Sequence, residues 1–310
     1  MNVVEIRASA VVKVKELVKL GKNGAAREIA SIFKPDGKPS ADELAFHGKL
    51  LLLTQQYASA EKVLRRAHSK HATYDVTRDL EAANLLSRTD KQYREMRAGA
   101  ALARTLSFEG VETVLDVGSG GGEHALAFAA AGKRVDAIDL GRSVYFDRSA
   151  PEAQFATSTN VNFVKANFME IEVNKAYDLV WCSHVLEHQP NPNLFLSRCL
   201  DFVEDGKWLA ITVPPLKHSI VGGHVSLWNA GLLIYQLVMA GNNCSDAIVM
   251  NYGYNITVIV RKRPIDLPEL DFDAGDIDRL ALFFPEGCSE GFDGRMAGGV
   301  DVIPSDEISS

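Results

Sequence analysis

Cysteine is scarce in this chain and scattered. Cys182, Cys199, Cys244 and Cys288 include no C-x-x-C pair, which excludes a zinc ribbon and a disulfide framework and fits a reducing compartment, the cytoplasm. Long apolar runs are missing too. The longest candidate, Gly231 to Gly241 (GLLIYQLVMAG), is about half of the roughly 18 residues that a membrane span needs. The opening MNVVEIRASAVVKVKELVK alternates apolar and charged residues and lacks the apolar centre of a secretory signal, so a soluble, cytoplasmic protein is expected. Basic excess is absent: 33 Lys and Arg face 40 Asp and Glu, a net charge of −7, so no nucleic-acid partner is expected. What the chain does have is 310 residues at 46% hydrophobic, enough for one large domain and a smaller one.

The acidity is local. Asp266 to Ser310 carries twelve acidic and two basic residues, a net of −10, which leaves +3 for residues 1–265. The exclusion of nucleic acid therefore rests on the missing basic run, and a slightly cationic body leaves room for an acidic acceptor.

Up to residue 90 the pattern is helical, with alanines, leucines and charges recurring at spacings of three and four. Lys34 to Lys38 (KPDGK) reads as a turn, and Ser40 with Glu43 as the capping box of the helix that follows. Leu44, Gly48, Leu51, Tyr57, Ala60, Leu64 and Ala67 fall where a tetratricopeptide repeat places its packing residues, with Ala26, Ala30 and Phe33 as a weaker echo. An ordinary helical cap is the alternative. Either form offers a surface for a protein partner or for self-association.

From Val111 onward short β-forming runs alternate with helical stretches. Strands are expected at Thr113–Val117, Arg134–Leu140, Val161–Lys165, Tyr177–Cys182, Lys207–Val213 and Ile248–Lys262. This rhythm predicts an α/β fold, a doubly wound parallel sheet over residues 91–265 with its ligand beyond the carboxyl ends of the strands. Residues 266–310 read as an acidic extension, partly loose, in which Leu280 to Phe284 (LALFF) is apolar enough to dock.

The sharpest signal is VLDVGSGGGEHALAFAAAG, Val114 to Gly132: a buried strand, then Gly118, Gly120 and Gly122, then an alanine-rich helix. Glycines there let the backbone turn with positive φ and leave amides facing a ligand. A second strand ends in Asp139, 21 residues past Gly118, where a carboxylate can accept from a ribose diol. A dinucleotide and a second cofactor compete for this arrangement. Counting from Gly118, the nicotinamide fingerprint needs glycine at position 123, which is Glu123, whereas counting from Gly120 reaches Ala125, an allowed variant.

The run Asp116-Val-Gly-Ser-Gly-Gly-Gly122 resembles the first motif, D-x-G-x-G-x-G, of class I S-adenosylmethionine-dependent methyltransferases. A carboxylate at that strand end suits a cationic amino-acid cofactor and would repel a pyrophosphate. YDLVWCSHVLEHQPNPNLFL, Tyr177 to Leu196, is similar to the family's fourth-strand stretch, and Asp205-Gly206-Lys207 to Pro214-Pro215 to its fifth. The resemblance implies a Rossmann-like sheet, mostly parallel with an antiparallel edge strand, preceded by an all-helical N-terminal domain. It implies S-adenosylmethionine as cofactor, held by Asp116, Gly118, Gly120, Gly122, Asp139, Leu140 and Ser183. Asn167, where the family usually has Asp, and Phe168 are implied to meet the adenine. Tyr93 and Arg97 stand on the helix that leads into the first strand.

Three histidines are candidates for a general base: His184 at the end of the fourth strand, and His218 and His224 on the loop after the fifth, with Gly222-Gly223 as its hinge. A strand-to-helix packing role for His184 and an idle surface loop for the others are the alternatives. His184-Val-Leu-Glu187-His188 also spells the H-x-x-E-H of inverted zincins, and some quinone O-methyltransferases of this class carry E-x-x-E-H here with a divalent cation. With His184 in the first glutamate's place no metal is expected, and His184, Glu187 and His188 form the minority metal option. The apolar stretch Leu227 to Ala240 reads as core or as a substrate pocket. The expected acceptor is an oxygen of a polar small molecule or sugar. A quinone or phenol acceptor is the alternative, and a non-catalytic scaffold with a vestigial fold is the rival from another class.

Overall fold

The computed structural model describes residues 2–142, 146, 153, 155–217 and 219–296. Among the described residues two compact units are present, the first of residues 2–90 with 251–253 and the second of 91–250 and 254–296.

The first unit is helical: α1 (Val3–Lys19), α2 (Asn23–Ile32), α3 (Ala41–Leu53), α4 (Tyr57–Lys70) and α5 (Tyr74–Arg88). Each start has a local cause. The Ser40 hydroxyl accepts from the Glu43 amide while the Glu43 carboxylate accepts from the Ser40 amide, and Asn2 with Glu5 repeats this reciprocal cap on α1. Leu44, Leu51, Ala60, Leu64 and Ala67 are buried between α3, α4 and α5, and Ala26 and Ala30 are buried with Val14 and Leu50. Gly48 permits the close approach of α3 to α4, since a Cβ there would lie 2.5 Å from Leu64 Cγ.

The second unit begins with α6 (Lys91–Arg94) and α7 (Gly99–Leu106) and continues as β1 (Thr113–Val117), α8 (Glu123–Ala130), β2 (Arg134–Asp139), β3 (Val161–Lys165) and β4 (Tyr177–Ser183). It is completed by α9 (Pro192–Asp201), β5 (Val203–Val213), α10 (Ala230–Met239), β6 (Ile248–Tyr252), β7 (Asn255–Arg261) and the short α11 (Asp276–Arg279). The sheet order is β3-β2-β1-β4-β5-β7-β6. Strands β1 to β5 pair in parallel and β7 runs antiparallel to β5, as the resemblance implied. Two differences from the sequence reading have simple causes. Strand β5 starts at Val203 rather than Lys207, and the apolar run Ile248–Lys262 is a hairpin rather than one strand, turned over Gly253 (φ +56°) and Tyr254.

β4 is buried on both faces, with Leu179, Val180, Trp181 and Cys182 all at zero exposure, as a central parallel strand requires. At the amino end of the sheet the Asp178 carboxylate ties three strands together. It accepts from the Glu112 and Thr113 amides and the Thr113 hydroxyl, and pairs with Lys207 at 2.8 Å. Burial pushes this carboxyl up, but Lys207 and those amides outweigh it and hold it well below the usual range. Beyond the sheet, Leu280 and Phe284 of the acidic extension are buried in the core, and the Gly231 amide donates to the Gly294 carbonyl. Residues 297–310 lie outside the described residues.

Gly48 allows a test in which two effects oppose. Gly→Ala in a helix gains about 0.5–1 kcal/mol, whereas overpacking a closed contact costs about 1–3 kcal/mol. Gly48→Ala is expected to lower the urea midpoint of the first unit and Gly48→Val to lower it further; a rise for the alanine variant would show that the α3–α4 contact is loose.

Candidate active site

Parallel order reverses at β1: β2 and β3 lie on one side of it, β4 and β5 on the other. The carboxyl ends of β1 and β4 therefore open a crevice, since their outgoing connections leave in opposite directions. Into it runs the turn Gly118 to Gly122, which takes its shape from two close neighbours. Gly118 has φ +72° and a Cβ there would lie 2.4 Å from Val185; Gly122 has φ +82° and a Cβ would meet the Phe155 ring at 2.6 Å. Gly120 differs. At φ +51° a Cβ there would meet nothing among the described residues nearer than the Gly118 carbonyl at 4.0 Å.

Asp139, at the end of β2, grips this turn. Its carboxylate accepts from the Gly120 amide at 2.9 Å and the Gly141 amide at 2.6 Å. Leu140 beside it is half exposed. Asp116, inside β1, is 1% exposed, and one of its carboxylate oxygens has no hydrogen-bond partner among the described residues; the Ala125 amide in the first turn of α8 serves the group. Burial, and then the charge of Asp139, push this carboxyl up to about 7. Ser119 Oγ and Ser183 Oγ are likewise buried and unpartnered. A carboxylate and two hydroxyls without partners at adjoining strand ends form a polar set prepared for a ligand.

The expected adenine residues are placed differently. Asn167 folds back on its own turn, its oxygen accepting from the Met169 amide and its nitrogen donating to Glu170. Phe168 turns into the core against Phe195 and Phe202, at 5.5 and 5.3 Å between ring centres, because the short turn after β3 leaves its apolar ring no other cover. Tyr93 lies on α6, and the carbonyl of Arg97 is 2.7 Å from His124 Nε2 in the first turn of α8.

The histidines separate clearly. His184 stands in the left-handed region at φ +58°, a strained conformation for a side-chain-bearing residue, and its amide still bonds to Thr212 of β5. Both ring nitrogens are engaged: Nδ1 is 3.3 Å from Glu187 Oε1, and Nε2 is 2.9 Å from Asn255 Oδ1. A buried imidazole held on both sides is a brace between β4 and β7 rather than a free base. His188 donates from Nδ1 to the Gly223 carbonyl at 2.7 Å, and its Nε2 is 3.9 Å from Glu187 Oε1. Its ring lies edge-on to His224, 4.9 Å between centres. Donor atoms of Glu187, His188 and His224 lie within 4.8 Å of one another, close enough for one metal ion, so His224 and not His184 completes the metal-competent trio. Burial lowers the pKa of His224 and Glu187 opposes the shift. His218 lies outside the described residues.

Beside His224, a cavity of about 200 Å³ lies beyond the end of β5, walled by Pro214, Pro215, Lys217, Trp228 and Tyr254. Asn255 and Tyr254 escaped the sequence reading. They stand 71 and 70 positions after His184, with no spacing pattern to connect them.

Residues 89–239 match a family model described as a methyltransferase domain. A Pseudomonas savastanoi pv. phaseolicola protein named ubiquinone biosynthesis O-methyltransferase is 33% identical over 93 residues, 30% of this chain and 40% of that one. A Shewanella relative of the same name is 29% identical over 135 residues, 43% of this chain and 53% of its own. The chain thus spans about half or less of these relatives' length. Among solved structures, an S-adenosylmethionine-dependent methyltransferase from Aquifex aeolicus is similar at 17% identity and a TM-score of 0.44, covering 57% of this chain and 96% of that one.

The sign of the Asp116 shift yields a test. Its folded pKa lies above the unfolded value of 3.8, so its contribution to stability is complete at low pH and is lost as pH rises from about 4 to 7. Asp116→Asn is expected to melt higher than the native protein at pH 8, by about 2–4 °C for each kcal/mol of relief, and the gap should close toward pH 4. An Asn variant that melts lower at pH 8 would show the carboxylate to be satisfied.

Proposed function

We propose that residues 89–239, which match a methyltransferase-domain model, work as a class I S-adenosylmethionine-dependent methyltransferase, and that the chain moves a methyl group from S-adenosylmethionine to a hydroxyl oxygen of a small phenol-type acceptor. One observation carries the reading: the unpartnered oxygens of Asp116, Ser119 and Ser183 around the glycine turn. This donor set fits a ligand with an ammonium group, and its buried carboxylate disfavours a pyrophosphate.

Gly118, Gly120 and Gly122 hold the methionine part, with Asp116 and Ser183 toward its polar end. Asp139 takes the ribose hydroxyls, and exposed Leu140 offers an apolar face to the adenine. When bound, the cofactor supplies a methyl group made reactive by a positive sulfur. The chain's task is to align the acceptor oxygen about 3 Å from that carbon and to take its proton. His224, half-buried on the cavity wall, is the base we assign, since His184 has both nitrogens engaged. The apolar cavity walls and the names of the relatives support a phenol over a sugar.

A metal-assisted form of the reaction is a second reading, favoured by the Glu187, His188 and His224 trio. A chelator separates the two: EDTA lowers turnover at least about tenfold in the metal-assisted form and leaves it unchanged otherwise.

Calorimetry with S-adenosylhomocysteine tests the premise. Binding in the micromolar range is expected, and none at hundreds of micromolar would favour a vestigial scaffold. Asp139→Ala should weaken that binding at least about tenfold, since one carboxylate serves both the turn and the ribose. His224→Ala should cut turnover about 10²–10⁴-fold with cofactor affinity intact, the span typical of a lost general base, and His184→Ala should cut it less.

A further inference from the structure

The cavity beyond β5 has an uneven charge inventory. Its lining includes Lys217, His224, Ser219 and Ser226, and no aspartate or glutamate among the described residues. Lys217 has no carboxylate partner within ion-pair distance among the described residues. Its ammonium instead sits 4.1 Å from the centre of the Tyr254 ring. That ring is itself fixed, stacked on His184 at 6.1 Å and 16°. Glu187, whose carboxylate approaches His188, is 1% exposed and turned toward His184 and His188. Around the cation the walls are apolar: Val225, Leu227, Trp228 and the two prolines.

We propose that Lys217 is an anion reader, and that the acceptor is a small ring compound bearing a carboxylate or phosphate group. Identifying this cavity as the acceptor site rests on the methyltransferase reading above. A cation on an aromatic face makes no hydrogen bond there, whereas an anion offers it a charge-assisted one, so an anion can draw it off its seat. The cavity selects in both directions. A neutral ring gains only the apolar walls, and an ammonium-bearing acceptor meets the like charge of Lys217 with no carboxylate among the described lining residues. The volume of about 200 Å³ suits one substituted ring and little more.

The test is a calorimetric titration of the full chain, first with S-adenosylhomocysteine and then, at saturation, with benzoate, phenyl phosphate, phenol and benzamide. Benzoate, phenyl phosphate or both should bind at least about tenfold tighter than the two neutral rings, and their order shows whether carboxylate or phosphate is preferred. Lys217→Gln should abolish the difference while leaving S-adenosylhomocysteine affinity unchanged, which certifies the fold, and Lys217→Arg should restore most of it. Equal binding of all four probes, no binding of any at about 10 mM, or discrimination surviving in Lys217→Gln would overturn the proposal. Loss of S-adenosylhomocysteine binding in the native protein would instead overturn the methyltransferase reading itself.

Discussion

The reversal of strand order at β1 is the constraint on which the candidate site depends. A parallel sheet that grows outward in both directions from one strand must leave a gap at that strand's carboxyl end, because no crossover can fill it from either side. The turn after β1 enters this gap, and its shape is set from behind by Val185 and Phe155, which leave no room for side chains at Gly118 and Gly122. Gly120, with no such neighbour, is the open member of the three.

Two acids beside this turn have opposite roles. Asp139 is satisfied by two amides and acts as a clasp between the ends of β1 and β2. Asp116 is buried with an empty oxygen and carries the cost of that burial as a raised pKa. A protein selected for stability alone would have no use for the second arrangement. Local instability at a ligand site, offset by Trp181 and the buried strands around it, is the ordinary exchange between function and folding.

Sequence reading worked where one physical signal dominated. The β1 glycines, Asp139 and the strand rhythm follow from backbone freedom and from burial on both faces, and all are local. The Ser40–Glu43 cap is local as well. It failed where partners were far apart in the chain. Nothing near His184 shows that Asn255 will take its Nε2, or that His224 will come beside His188. An apolar residue after a strand end such as Phe168 serves a ligand or a core equally well, and its packing on Phe195 and Phe202, which lie on other elements, was not legible locally. The β6–β7 turn was hidden because Gly253-Tyr254-Asn255 interrupts the apolar run only briefly.

That turn separates two kinds of inheritance. The glycine turn and its acids belong to β1, β2 and the loop between β1 and α8, in the buried part of the sheet, whereas Tyr254 and Asn255 come from a hairpin at its antiparallel edge. Edge hairpins tolerate replacement because few backbone bonds depend on them. A lineage could therefore exchange three residues at this tip and give the cavity beyond β5 a new wall without disturbing a single contact of the glycine turn. Chemistry and choice of substrate are in that sense written on different strands.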